Sequence, residues 1–269
     1  MTGPNTDAAE SPAASLWSLA LTGILAGLLS GTLGVGGGIV MVPLMTGLLR
    51  FSQHRAHATS LAAIVLIAVS GVVRFAIGGE VDWAVGLALG LGGMLGSTVG
   101  AHLMHRLSPQ ALRIVFGVIV VAAGIRMVLA GDPQAGAQPP ALIGVLVGVA
   151  IGLVAGVASG VGGIGGGIVM VPAMVFFLGL SQHTAEGTSL LAIIFTAVAG
   201  TRVNLKHGRV DLRHAAVVGA AGIVFAQLGA SLALAMSAQR LSQVFGAFVV
   251  LVGIRMVVVT YRQRRRTGV

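Results

Sequence analysis

The stretch GVGGGIVMVP at residues 34–43 decides the fold, because it returns almost letter for letter as GIGGGIVMVP at residues 163–172. The offset is 129 positions, from 43 to 172. Further segments keep this offset without a gap: SQH at 52–54 and 181–183, TSL at 59–61 and 188–190, and GIRM at 124–127 and 253–256. The chain therefore contains two copies of one unit, repeat one at 16–130 and repeat two at 141–261.

The composition indicates a membrane protein. Mean hydropathy is +0.99, and charged residues make up 9% against 56% apolar residues. That leaves too little polar surface for a soluble globule, and the apolar runs have bilayer length. The formal charge of +9 comes from Lys and Arg at the ends of these runs and from an arginine cluster at 262–266. Cytoplasmic loops explain this distribution better than a nucleic-acid partner does.

The first apolar block, 16–49, is too long for one helix. A continuous helix over it would be about 50 Å long, against a hydrocarbon core of about 30 Å. Clustered glycines at 34–38 permit left-handed backbone and favour a break there. The same reasoning applies to 163–167. Each repeat is therefore predicted to begin with a glycine-broken helical hairpin, and whether the hairpin spans the membrane or re-enters stays open.

Three longer apolar runs follow each hairpin. They are 58–77, 83–103 and 110–130 in repeat one, and 185–205, 212–235 and 241–261 in repeat two. The remaining segments are predicted to be a disordered N-terminal tail, 1–15, a linker, 131–140, and a basic cytoplasmic tail, 262–269. Because the chain has no cysteine, disulfides and thiolate chemistry are excluded.

Matching loops of the two repeats differ in charge. One turn is acidic in repeat one, with Glu80 and Asp82, while its counterpart is basic, with Arg202, Lys206 and Arg209. Because cationic loops prefer the cytoplasm, matching loops are expected on opposite faces. The sequence predicts an all-α polytopic membrane protein with two inverted repeats, each a glycine-broken hairpin plus three transmembrane helices. Both termini are expected in the cytoplasm.

The two glycine breaks are the candidate substrate site. Irregular backbone at membrane depth is tolerated only where protein buries it or water lines it, which favours a central cavity. Helix N-termini at the breaks offer free N–H groups and partial positive charge to an anion. The candidate backbone is that of Gly34, Gly36, Gly37, Gly38, Gly163, Gly165, Gly166 and Gly167. The alternative role, close helix packing, is favoured for the regularly spaced Gly23, Gly27 and Gly31.

Polar side chains after each break are candidates to complete the site. They are Gln53, His54, Ser60, Gln182, His183 and Ser189. The alternative, that the segment caps a helix and its histidine lies at the membrane interface, stays open. Glu186 is a candidate carrier of a coupling proton, although a solvated helix N-terminus is the favoured interpretation. For Arg74, snorkelling to the membrane surface is favoured, and Arg126 is expected to anchor an interface.

Neither an enzyme nor a cofactor site is favoured. The letters GVGGIG at 160–165 match a dinucleotide pattern, but no strand precedes them and no βαβ unit surrounds them. His54 and His57 lie in a polar segment without a carboxylate cluster, so no metal site is predicted. No spacing places Ser, His and Asp as a catalytic triad.

The doubled GxGGG motif followed by proline, the TSL segments and the turns GEVD at 79–82 and GRVD at 208–211 resemble the sulfite exporter TauE/SafE family of membrane permeases. The resemblance covers nearly the whole chain outside the tails. It implies transport of sulfite, sulfoacetate or another organosulfonate across a bacterial inner membrane, without ATP hydrolysis by the protein itself. Members differ in substrate and direction.

These observations predict a secondary transporter that moves a sulfur-containing anion by alternating access. The expected partners are a small anionic substrate and membrane lipid, and no nucleic acid. The identity of the anion, its direction, the coupling ion and association into homo-oligomers stay open. Two alternatives are an anion channel of the same architecture and a non-transporting membrane subunit of a redox complex. The short loops argue against the subunit.

Overall fold

A computed structural model of the protein describes residues 15–103, 109–130, 139–162 and 166–267. The regular structure of these residues is entirely helical. The helices are α1 (Leu16–Leu33), α2 (Gly38–Gly47), α3 (Gln53–Ile77), α4 (Trp83–Leu103), α5 (Pro109–Ala130), α6 (Ala141–Gly162), α7 (Gly167–Leu178), α8 (Gln182–Lys206), α9 (Leu212–Ala235) and α10 (Ala238–Thr267). The predicted N-terminal tail and linker lie outside the described residues, except for residues 15, 139 and 140.

Six of the described helices are long and apolar enough to cross a bilayer: α1, α3, α6, α8, α9 and α10. Large aliphatic and aromatic side chains lie exposed on the outside of the bundle, including Phe177, Leu251 and Leu95. An apolar surface of this extent is unusual for a soluble monomer and fits contact with lipid. The prediction of an all-α polytopic membrane protein is confirmed.

The first apolar block is interrupted at its glycines. α1 ends at Leu33, and Gly34, Gly36 and Gly37 have φ angles of 64°, 79° and 71° before α2 begins at Gly38. Glycine adopts this left-handed region without the steric cost that a Cβ imposes. Gly166, the counterpart of Gly37, has a φ of −65°. The two breaks therefore differ in local conformation.

α3 and α8 each begin about one turn before the apolar runs that predicted them, which start at residues 58 and 185. Ser52 caps α3 by accepting a hydrogen bond from the backbone N–H of Arg55, at 3.3 Å. Ser181 caps α8 in the same way, accepting from the N–H of Thr184 at 3.1 Å. These caps extend the helices into the polar segments, because a hydroxyl at the N-cap satisfies one of the free amides of the first turn.

α3 and α8 pack against each other and run antiparallel. The N–H of Asp211, just after α8, donates to Thr59 near the start of α3 at 3.1 Å. The N–H of Asp82, just after α3, donates to Thr188 near the start of α8 at 2.9 Å. The two bonds join counterpart residues, so the same contact occurs at both ends of the helix pair.

The remaining helices pack across the two repeats. α1 packs against α9, α6 against α4, and α5 against α10. A methyl group on Gly27 of α1 would overlap the carbonyl oxygen of Gly222, and one on Gly156 of α6 would overlap that of Gly93. The packing role predicted for Gly23, Gly27 and Gly31 is confirmed, because only glycine lets these backbones approach so closely.

Candidate functional site

The first glycine break lies against the start of α8, in the other repeat. Ser189 is fully buried, and its Oγ donates to the carbonyl oxygen of Gly34 at 2.6 Å. A Cβ on Gly34 would lie 2.8 Å from both the Cα and the carbonyl oxygen of Glu186. The structure therefore brings together Gly34 and Ser189, two of the predicted site residues.

The two breaks also touch each other. A Cβ on Gly167 would lie 2.7 Å from the carbonyl oxygen of Gly34 and 2.8 Å from the Cα of Val35. Gly166 and Gly167 are buried, as are all four candidate glycines of the first break. Gly163 and Gly165 lie outside the described residues. The N-terminus of α7 thus meets the first break in the interior of the bundle.

Two isoleucines cover the first break in this conformation. Ile64 of α3 and Ile193 of α8 are counterparts and are exposed by 5% and 4%. A Cβ on Gly36 would lie 3.1 Å from Ile193 and 3.6 Å from Ile64, and one on Gly38 would lie 3.1 Å from Ile64. The predicted cavity is closed at this part of the break, since aliphatic side chains occupy the space beside its backbone.

The structure separates the candidate polar side chains into two groups. Gln53 and His54 are exposed at the start of α3. Their counterparts lie inward: Gln182 is 1% exposed, and Nε2 of His183 lies 3.0 Å from the carbonyl oxygen of Ala233 in α9. Gln182 and Ser189 therefore lie in the interior of the bundle, whereas Gln53 and His54 face outward.

Ser60, the counterpart of Ser189, is buried on α3. Its Oγ donates to the carbonyl oxygen of His57, one turn earlier, at 2.8 Å. Ser189 makes the same bond to Glu186 at 2.7 Å, in addition to its bond to Gly34. His57 and Glu186 are thus counterparts, and each repeat places a titratable residue one turn before its buried serine.

Glu186 lies inside the bundle, contrary to the favoured prediction. The favoured interpretation, a solvated helix N-terminus, is wrong, because Glu186 is 0% exposed. Its Oε1 accepts from Nε2 of Gln182 at 2.8 Å, and its Oε2 has no hydrogen-bond partner among the described residues. The signal was present in the spacing: Gln182, Glu186 and Ser189 recur at intervals of four and three residues and share one helix face.

A second polar cluster fixes the opposite end of α8. Asp211 Oδ2 lies 2.7 Å from Arg55 Nη2 and 2.6 Å from His214 Nδ1. Burial alone raises the pKa of Asp211, but hydrogen bonds from the side chain and backbone of His214 and from Arg55, together with the charge of His214, lower it to about 2. Phe51 adds a ring contact with His214 and lies 4.9 Å from the Arg55 guanidinium. The cluster ties the start of α3 to the start of α9.

Arg74 and Arg126, which lie within apolar helices, make contacts that the sequence did not predict. Arg74 is half-buried and donates from Nε to Ser231 of α9 at 2.9 Å, so it does not simply extend to the membrane surface. Arg126 lies over the ring of Phe176 at 4.5 Å. It borders a cavity of about 580 Å³ between α5, α6 and α7 whose other lining residues are apolar. Those apolar walls suit hydrocarbon better than a small, strongly hydrated anion.

The bilayer-length helices and the apolar exterior define a polytopic membrane protein, and comparison with known proteins defines its class as a membrane transporter. Residues 2–127 and 139–268 match the sulfite exporter TauE/SafE family. The chain belongs to that family.

Relatives with transporter names occur in several organisms. A "Probable membrane transporter protein" of Xylella fastidiosa (strain 9a5c) is 32% identical over 241 residues, which cover 88% of this chain and 92% of that protein. The "Probable membrane transporter protein YunE" of Bacillus subtilis (strain 168) is 32% identical over 105 residues, 39% of this chain and 38% of that protein. The "Probable membrane transporter protein MamO" of Magnetospirillum gryphiswaldense is 34% identical over 116 residues, 40% of this chain and 18% of that protein.

Proposed function

We propose that the protein is a secondary transporter that moves a sulfur-containing anion, sulfite or an organosulfonate, across the bacterial inner membrane. The anion binds to backbone N–H groups at the two glycine breaks. The observation that carries this proposal is the meeting of the breaks inside the bundle, where Gly167 lies against Gly34 and Val35. Membership of the sulfite exporter TauE/SafE family supports the class of substrate.

The chemistry of the breaks suits such an anion. The first N–H groups of α2 and α7 have no acceptor within their own helices, and the helix dipoles add partial positive charge. A sulfite or sulfonate group presents three oxygens that accept from such donors. α2 and α7 contain no charged residue, so backbone dipoles rather than a cation attract the anion. Weak, distributed attraction favours release as well as binding.

Inverted repeats are part of this proposal. The antiparallel α3 and α8, joined at both ends by the counterpart bonds of Thr59 and Thr188, support repeats that face opposite sides of the membrane. The repeats extend over 16–130 and 141–261, each with a hairpin and three further helices. The positive residues in the loops support a cytoplasmic position for both termini.

Alternating access then assigns a role to the isoleucines. Ile64 and Ile193 come from opposite repeats and close the first break in the present conformation. Movement of α3 or α8 would withdraw one of the two side chains and open the break towards one side of the membrane. The anion would cross in steps because the two sides do not open together.

The test is flux through the purified full chain in proteoliposomes. Sulfite, sulfate, taurine and sulfoacetate are supplied in turn, and labelled-anion uptake and counterflow are recorded. We expect saturable transport of at least one sulfur-containing anion at carrier rates. Flux of none of the four contradicts the proposal, and single-channel currents in planar bilayers would replace the carrier by a channel.

A further inference from the structure

Glu186 is a buried carboxyl group with incomplete hydrogen bonding. It lies in the second turn of α8, is 0% exposed and accepts one hydrogen bond, from Gln182 at 2.8 Å. Its Oε2 and the Oε1 of Gln182 are both buried without a partner among the described residues. Burying a charge without a counter-charge is costly, so a group of this kind in a membrane protein calls for a functional explanation.

No cation compensates for this carboxyl group in the described part of the chain. The ion pairs there involve Asp211, with Arg55 and His214, at the other end of α8. The helices α1, α2 and α7 have no titratable side chain. Arg240, at the start of α10, is exposed. A carboxylate at Glu186 would therefore lack a counter-charge from these neighbours.

Other titratable groups lie near Glu186, along the chain and across the α3–α8 contact. These groups already have hydrogen-bond partners of their own. His183 contacts the carbonyl oxygen of Ala233. The carboxylate of Glu80 accepts from Thr184 at 2.5 Å and from Ser181 at 3.4 Å. Asp82 caps α4 by accepting from the N–H of Val85 at 3.0 Å, and Arg74 donates to Ser231. In the described part of the chain these neighbours therefore make their contacts elsewhere and leave the Glu186 carboxyl group without a counter-charge.

Glu186 is also directly linked to the candidate anion site. Its Cα and carbonyl oxygen pack against Gly34, and Ser189 donates to the carbonyl oxygens of both residues. A movement that opens the first break thus changes the surroundings of Glu186 at the same time.

We propose that Glu186 carries the coupling proton of the transport cycle. The inference rests on the proposed function and adds its coupling ion. The carboxylate takes up one proton from the side to which the break is open, and the neutral acid allows α8 to close over the break. When the break opens to the other side, the O–H bond breaks and the same proton enters the water there, restoring the carboxylate. One proton crosses in each cycle, in the same direction as the anion.

A proton fits the site better than a metal cation. Hard cations in proteins take about six or more oxygen ligands. The unpartnered oxygens here are Oε2 of Glu186 and Oε1 of Gln182. A proton needs one of them, whereas a cation would need several further ligands from a segment whose carbonyl groups are engaged in helix bonds.

The experiment uses the full chain in proteoliposomes and whichever anion of the four-member panel the wild-type protein carries. Two readouts are compared: accumulation of the anion driven by an imposed pH gradient, and counterflow exchange at equal pH. A trapped pH-sensitive dye reports proton movement. Glu186→Gln imitates the protonated acid permanently, so we expect loss of pH-driven accumulation with counterflow retained. Glu186→Asp keeps a titratable carboxyl and is expected to retain both.

Glu80→Gln is the matched control. Glu80 carries a carboxyl group at the same end of α8, where it accepts hydrogen bonds from the hydroxyl groups of Ser181 and Thr184. The Glu80→Gln variant is expected to leave both readouts unchanged. Wild-type anion flux without proton flux, or flux that requires Na⁺, overturns the role of Glu186 whether or not its variants fold. Accumulation of the anion by the Glu186→Gln variant under an imposed pH gradient also overturns the proposed role of Glu186. Absence of any anion flux from the wild type contradicts the proposed function itself.

Discussion

Ser189 of the second repeat donates a hydrogen bond of 2.6 Å to the carbonyl oxygen of Gly34 in the first repeat. The bond is buried, and it joins the start of α8 to the end of α1, where the backbone turns left-handed. It fixes the position of the first glycine break relative to the opposite repeat. Residues 155 positions apart in the sequence thereby form one local structure.

Ser189→Ala is expected to destabilise the protein by about 1–3 kcal/mol, because the substitution leaves the buried carbonyl oxygen of Gly34 without its side-chain donor. Thermal unfolding in detergent measures the effect. Thr196→Val is the control on the same helix, since Thr196 donates only to the carbonyl oxygen of Ile193 one turn earlier. Equal unfolding temperatures for the two variants would contradict a special role for the bond to Gly34.

Gly27→Ala is expected to separate α1 from α9 and lower the yield of folded protein. The added methyl group would overlap the carbonyl oxygen of Gly222, and backbone cannot move aside as a flexible side chain can. Gly144→Ala is the matched control, because a Cβ there lies more than 4 Å from every other segment that the structure describes. Size-exclusion profiles of the two variants measure the yield of folded protein. An unaltered profile for Gly27→Ala would contradict close packing of α1 against α9 at Gly27.

Inverted repeats predict that counterpart turns face opposite sides of the membrane. The chain has no cysteine, so single cysteines in place of Glu80 and Arg209 report their sides without background. A membrane-impermeant maleimide added to intact cells is expected to label the Glu80→Cys variant and to label Arg209→Cys only after the cells are opened. Labelling of both from the same side would rule out the inversion.

Asp211 is expected to stabilise the fold in a pH-dependent way. Its folded-state pKa of about 2 lies below the ordinary value of about 3.9. Its stabilisation is therefore fully present above the ordinary value and is lost as the pH falls towards 2. Unfolding curves of wild type and Asp211→Asn should differ at neutral pH and converge in acid. A difference that does not change with pH would show that the charge of Asp211 contributes nothing.

Local sequence signals predicted the local structure of this protein well. Clustered glycines located the break between α1 and α2, and the 129-residue offset identified counterparts such as Thr59 and Thr188 that make equivalent contacts. Spaced glycines such as Gly27 marked close helix packing, because the requirement for a small residue is visible in the sequence itself.

Contacts between distant segments were not predictable in the same way. The burial of Glu186 depends on which face of α8 turns towards the first repeat. The spacing of Gln182, Glu186 and Ser189 places them on one face but does not show that this face turns inward. The outward position of Gln53 and inward position of Gln182 follow from unequal surroundings of matching helices. The ion pair of Arg55 with Asp211 joins residues 156 positions apart. Such differences arise from tertiary packing, which the repeat pattern alone does not encode.

Anion binding at the glycine breaks is tested most directly by comparing Gly38→Ala with Gly47→Ala in proteoliposomes. Both substitutions add one methyl group to α2. At Gly38 the methyl group lies beside the break, 3.1 Å from Ile64, whereas at Gly47 no atom of another described segment lies within 4 Å. We expect Gly38→Ala to raise the half-saturating concentration of the transported anion about tenfold, equivalent to about 1.4 kcal/mol, while Gly47→Ala behaves as wild type. Wild-type flux and half-saturation in a folded Gly38→Ala variant would contradict binding at the breaks.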